Sequence, residues 1–135
     1  MIRILSVPHT GTRFLVDVLQ RAGLTKTHAL WGNGDFIQAH FGSDHPMVTH
    51  RNGTVLIPLR RREEVAASWY RRGASIPELE RRWTQMCEFI SGYNDAFLLH
   101  IDDPLRRDNE LEAISERIGT PLTADFSVKV GHRPG

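Results

Sequence analysis

Apolar residues fall into short runs separated by stretches of helical periodicity. The run from Arg3 to Val7, carrying Ile4, Leu5 and Val7, predicts a buried strand. From Thr12 to Ala22, the positions Phe14, Leu15, Val18, Leu19 and Ala22 share one face of a 3.6-residue repeat, which predicts an amphipathic helix closed by Gly23. The segment Thr27 to Gly53 is rich in Gly, His and polar residues, and within it "FIQAHF" (Phe36 to Phe41) is short enough for a strand. "TVLIPL" (Thr54 to Leu59) is apolar on both faces, as a central parallel strand should be, with Pro58 expected to loosen the pairing at that end. A helix is expected from about Glu63 to Arg72. Another should start near Pro77, with Leu79, Trp83, Met86, Cys87 and Ile90 on its apolar face. "AFLLHI" (Ala96 to Ile101) reads as a further buried strand, and a last helix near Glu110 to Ile118 ends at Gly119.

Strands alternating with helices predict an α/β fold: three layers, α/β/α, around a mostly parallel central sheet. With neither an internal repeat nor a low-complexity linker, the 135 residues are expected to form a single domain over 1–135. Ligands of such sheets sit beyond the carboxyl ends of the strands, and Pro8 to Thr12 lies at one such end.

Charge and cysteine content narrow the classes. Seventeen basic residues against sixteen acidic ones leave a net charge of +1, so no global electrostatic case for nucleic acid exists. The single cysteine, Cys87, rules out an intrachain disulfide and fits a reducing compartment. The N-terminus lacks the charged-then-apolar pattern of a secretory leader, and no run reaches the roughly 18–20 apolar residues of a membrane span. A cytoplasmic protein without membrane association is the expectation.

"SVPHTGTRFLVDVLQRAG" has the shape of a phosphate-binding loop: a strand, a turn with Gly11, then a helix whose N–H groups and dipole favour an anion. Thr10 and Thr12 could add hydroxyl donors. The Walker A glycine and lysine are absent, which disfavours an ordinary ATPase or GTPase. A plain strand-to-helix turn capped by threonines is the alternative reading. Further along, "LIPLRRREEVAASWYRR" sets Arg60 at the end of the clearest strand and Ser68 on the following helix. A guanidinium fork matches phosphate oxygens, and the Ser68 hydroxyl could complete that site. Arg61, Arg62, Glu63 and Glu64 read as a solvated, self-neutralising helix start.

In this order, each after a buried strand, the two segments resemble the PAPS-dependent sulfotransferases. In that family P-[KR]-S/T-G-T binds the 5′-phosphosulfate and R-x-P-x-x-V-x-x-S-x-Y binds the 3′-phosphate. Here they stand as Pro8-His9-Thr10-Gly11-Thr12, followed by Arg13, and as Arg60 to Tyr70 with Arg62 in place of the proline. The resemblance implies a P-loop kinase-like fold, with PAPS as cosubstrate, PAP as product and in-line sulfuryl transfer to a hydroxyl or amine. It further implies a base: the family's K-T-H strand can be laid on Gln38-Ala39-His40, twenty residues before Arg60. A histidine suits the task, with an ordinary pKa of about 6.5.

His9 stands where the family has a lysine or arginine, and an imidazole replaces that charge only when protonated. Phosphates bound beside it should raise its pKa, so turnover is expected to fall above neutral pH. Arg13 is the other available cation. His40, His45 and His50 are spaced by five, which suits no common zinc pattern, and no metal is expected. The tail "VKVGHRPG" is similar to the family's glycine-containing nucleotide loop at Lys129, Gly131 and Arg133, or is simply a basic terminus.

The chain is about half the family's common length. Either a large acceptor binds an open face, or a second subunit completes the pocket in a homodimer, or acceptor function is lost. Trp31, Phe36, Phe41, Trp69 and Trp83 could line a pocket, although core is the better reading for Trp83. Two rivals remain: a small ATP-dependent phosphotransferase, and a catalytically silent nucleotide- or partner-binding protein of the same fold.

Overall fold

A computed structural model describes residues 1–28 and 32–124. Nine elements follow in the order β1 (Ile2–Ser6), α1 (Thr12–Arg21), β2 (Phe36–His40), α2 (Pro46–Thr49), β3 (Val55–Leu59), α3 (Arg62–Arg71), α4 (Ile76–Gly92), β4 (Ala96–His100) and α5 (Pro104–Ile118). The four strands form one sheet in the order β2-β1-β3-β4, and every pairing is parallel.

Side-chain alternation divides this sheet into two cores. Leu5 and Val7 of the first strand segment, with Val55 and Ile57 of β3, face Val48 of α2, Val65 and Trp69 of α3, and Leu79, Met86 and Phe89 of α4. The intervening residues Ile4, Leu56, Phe36 and Leu99 face Leu15, Val18 and Leu19 of α1 and Leu111 and Ile114 of α5. The result is a three-layer α/β/α fold. Truncating a fully buried side chain such as Leu15 should cost about 2–5 kcal/mol.

This arrangement fixes where a ligand can enter. The chain leaves β1 through α1 on one face and leaves β3 through α3 and α4 on the other. The carboxyl ends of β1 and β3 therefore flank a topological switch point, the crevice in which open α/β sheets bind ligands. Pro58 shapes that crevice. The β1–β3 ladder pairs Arg3 with Val55 and Ile4 with Leu56, while the β3–β4 ladder runs on through Pro58 to Leu59. The loosening expected at Pro58 thus falls on the β1 side only.

Several boundaries differ from the sequence expectation for identifiable reasons. The α1 helix closes as expected: Gly23, at φ +91°, donates to Gln20 O, and Leu24 donates to Leu19 O, the paired bonds of a Schellman motif. The last helix starts six residues earlier than expected, because Asp103 caps it through the Arg106 N–H and Pro104 occupies its first turn. On α4 the buried stripe runs through Leu79, Met86 and Phe89, while Cys87 is exposed. A stripe at positions 79, 86 and 89 leaves 87 about a quarter turn away. The β4 strand is an edge, and Leu99 is its one buried residue.

Arg3 is the unforeseen element of the core. Its side chain is buried, and its guanidinium donates to the carbonyls of Met47 (3.1 Å), His50 (2.6 Å) and Asn52 (2.8 Å). It clamps the α2 segment, which must cross from β2 to β3 past β1, and satisfies carbonyls that no ladder reaches.

Candidate active site

Three segments meet at the carboxyl end of the sheet: the loop after β1, the start of α3 after β3, and the end of β2. The first loop is fixed by its backbone. His9 is the one non-glycine residue at positive φ (+71°) among the described residues, and Gly11 follows at φ +96°. A Cβ on Gly11 would lie 2.7 Å from Ile101 Cγ1, so glycine is required there by both conformation and space. Gly11 caps α1 without any side-chain bond to the first-turn N–H groups, which leaves them available to an anion. From the opposite layer, Trp69 Nε1 donates to the Pro8 carbonyl at 2.9 Å, and its ring meets the His9 ring edge-on at 6.1 Å.

Thr10 departs from the sequence expectation. It is fully buried and its hydroxyl donates to Val7 O at 2.6 Å, so the side chain ties the loop down and does not line the cavity. Thr12 does line it. Its Oγ1 lies 2.7 Å from Ser6 Oγ, which in turn lies 3.1 Å from His40 Nδ1. Ser6 and His40 are register partners across β1 and β2, so strand pairing itself brings the base candidate to the loop.

Just past β3, Arg60 reaches the cavity already engaged by carboxylates. It donates to Glu64 at 2.7 Å and to Asp102 at 3.4 Å, and Asp102 also accepts the Arg61 N–H at 3.1 Å. Ser68 follows on α3, and Arg72 caps the carboxyl end of that helix. Together these segments line a cavity of about 710 Å³, within the range that encloses a nucleotide-sized ligand. Pro8, His9, Gly11, Thr12, Arg13, His40, Arg60 and Ser68 all contribute to it.

Sequence reasoning missed Arg72, Lys26, Asp17 and Gln20, which share the lining, and Ser6 beneath it. Arg72 was findable, because it stands one turn after Ser68 and so on the same helical face. Ser6 carried a fainter signal, a lone polar residue inside an apolar strand. Gln38, aligned above with the family's lysine, also faces the cavity.

The two histidines are shifted in the same direction. Burial, then the nearby Arg72 and His40, lower the His9 pKa below 6.5. This direction favours the neutral imidazole at pH 7, so the imidazolium expected from the sequence calls for an anion beside it. His40 is also lowered, chiefly by burial and also by Arg82, against an opposing bond to Ser6. The residue is exposed overall, and the ring edge bearing Nδ1 lies against Ser6. A lowered pKa keeps His40 in its proton-accepting form at neutrality.

The aromatic candidates lie elsewhere. Phe36, Phe41 and Trp69 are buried in the two cores, and Trp83 packs, partly buried, against the core under α3 and α4. Trp31, Lys129, Gly131 and Arg133 lie outside the described residues. His45 caps α2, accepting the Met47 N–H at Nδ1 (3.1 Å). Among the described residues no three His, Cys, Asp or Glu side chains converge, and no helix is long and apolar enough to cross a membrane. Comparison with family models, with curated proteins and with solved structures found no match to this chain.

Proposed function

We propose that this chain transfers a sulfuryl group from PAPS to a hydroxyl or amine acceptor. One observation carries the reading: residues singled out from two separate motifs and a third strand converge on one cavity at the switch point of the sheet. The loop after β1 holds the 5′-phosphosulfate on the first-turn N–H groups of α1, and Arg60, Ser68 and Arg72 hold the 3′-phosphate. The acceptor oxygen attacks sulfur, and the bond from sulfur to the bridging oxygen breaks in line. The acceptor proton passes to His40, and the departing charge stays on PAP beside His9 and Arg13.

A relay sets the base. With Thr12 donating to a phosphate oxygen, Ser6 donates to Thr12 Oγ1, and His40 Nδ1–H donates to Ser6 Oγ. The Nε2 lone pair is then left for the acceptor proton. Nucleotide binding thereby selects the reactive tautomer. In ¹⁵N spectra, PAP should leave His40 with an unprotonated Nε2, and Ser6→Ala should abolish that selection while Ser6→Thr restores it. An unchanged tautomer on PAP addition removes the relay.

Calorimetry with PAP, ATP and 5′-AMP tests the donor site. PAP binding in the micromolar range, with the 3′-phosphate preference lost in Arg60→Ala, supports the reading, and equal or absent binding of all three ends it. The silent nucleotide-binding alternative draws on one observation, the prior engagement of Arg60 by Glu64 and Asp102. PAP binding without turnover of any acceptor would favour it. The lone cysteine supports a reducing, cytoplasmic setting.

A further inference from the structure

The cations near the cavity divide by whether they already have a partner. Arg60, Arg61, Arg62, Arg81 and Arg82 are held in ion pairs with carboxylates. Arg13, Lys26 and Arg72 line the cavity, and among the described residues their side chains make no ion pair or hydrogen bond. Asp17, the one carboxylate of the lining, already has a partner. The donor reading engages Arg72 with the 3′-phosphate and Arg13 with the departing charge, which leaves Lys26 without a role. Its place in the sheet sets it apart. The Lys26 backbone bridges to Phe36, the first residue of β2, whereas Ser6, just before the phosphate loop, is level with His40, the last. Four residues of strand span about 13 Å, and a lysine side chain covers roughly half of that. Phe36, Gln38 and His40 share one face of β2, so the half-buried Lys26 enters the lining from the far side of Gln38 relative to the base.

Building on the sulfuryl-transfer reading, we infer that the acceptor carries an anionic group of its own, a carboxylate or a phosphate or sulfate ester, beside the hydroxyl or amine that attacks, and that Lys26 selects it. A half-buried ammonium with no protein partner depends on water for its hydrogen bonds. A neutral acceptor that displaces that water leaves the charge uncompensated, whereas an anion replaces it with a charge-assisted bond. A cationic acceptor is rejected by the same group. The geometry also limits the repulsion between such an acceptor and the donor. An anion held at Lys26 lies about a Debye length from the phosphosulfate loop, so the repulsion is largely screened while the pairing with the ammonium is direct. The step balances as written above: the acceptor oxygen or nitrogen gains the bond to sulfur, the bridging bond of PAPS breaks, and the acceptor proton moves to His40. The anionic group at Lys26 is unchanged by the transfer.

The test uses the full chain with PAPS and acceptors matched in all but charge: glucuronate beside glucuronamide, and 4-hydroxyphenylacetate beside its amide, with the sulfated product read by mass. Each acid should exceed its amide in kcat/KM by about tenfold, mostly through KM. The ratio should shrink towards one as salt is raised, since the pair is partly exposed, and this readout needs no variant. Lys26→Met should bring the ratio to about one, and Lys26→Arg should keep most of it. Acids no better than amides in the wild-type chain overturn the inference and leave the donor site standing. So does a Lys26→Met variant that keeps the acid preference, or one that loses affinity for PAP, which would place Lys26 in the donor site. Where no acceptor turns over, calorimetry on PAP-saturated protein decides. Acids bound more tightly than amides keep the anion site at Lys26 and end the transfer reading, and acids bound no better overturn the inference. Absence of PAP binding overturns the donor reading itself, and this one with it.

Discussion

The loop after β1 presents backbone to the cavity, whereas the segment after β3 presents guanidinium groups. The loop is held before any ligand arrives: Thr10 bonds inward to Val7 O, Trp69 bonds to Pro8 O, and Ile101 packs against Gly11. On the β3 side, Arg60 is held by Glu64 and Asp102, pairs that any anion reaching it would have to exchange. One site is preorganised and carries little charge of its own, and the other carries charge that is prepaired. A fixed nest of N–H groups positions an anion without reorganisation, while exchangeable ion pairs tune how strongly it is held.

The largest expected effect breaks the preorganised side. Gly11→Ala forces a side chain to φ +96° and into Ile101. It should cost roughly 2–5 kcal/mol of stability and abolish measurable PAP binding. Adding Ile101→Val should recover the steric part in a denaturant titration but not the backbone part. Full recovery would show that the left-handed conformation carries none of the cost.

Trp69→Phe keeps the packing but removes the donor to Pro8 O. The loss should be about 1 kcal/mol, a fall of about 3–5 °C in Tm, with weaker PAP binding. Unchanged PAP affinity would mean that the loop holds its shape without Trp69.

On the other side, Glu64→Gln sharpens the contrast by freeing Arg60. Because the pair is partly exposed, its release should tighten PAP binding by no more than about fivefold. Weaker binding instead would make Glu64 a positioning residue for Arg60.

The smallest effect is a proton. The His9 pKa is lowered by burial and by Arg72, and an anion beside it favours the cation, so PAP binding should take up a proton and tighten as pH falls from 7.5 to 6. Calorimetry in two buffers of different ionisation enthalpy measures this directly. Without ligand the sign is opposite. His9 and His40 both sit below the unfolded value of 6.5, so their contribution to stability is complete above that pH and is lost as pH falls through their folded values. Proton uptake that persists in His9→Ala would assign it to another group.

Much of this was legible along the chain because it rests on local order. Short apolar runs in β1 and β3 and a period of 3.6 in α1 marked out strands alternating with helices, and the apolar run of β3, on both faces, identified it as central. That Gly11, Arg60 and Ser68 line one cavity was readable, because the segments after β1 and β3 meet at the carboxyl end of a parallel sheet. Thr10 was misread because its hydroxyl had an inward carbonyl partner that composition does not reveal. Phe89, and not Cys87, joined the core because only the neighbouring layer decides which edge of a helical stripe is covered.

The amino-acid sequence by itself determined the alternation of strands and helices, the layered α/β class and the glycine that closes α1, since each follows from steric and hydrophobic rules acting within a few residues. Only the tertiary structure decided that Ser6 and His40 are neighbours, that Arg60 is already paired with Asp102, forty-two residues away, and that Lys26 and Gln38 share a cavity with Arg72. Strand order and register set those distances, and they are fixed by the burial of the whole sheet at once.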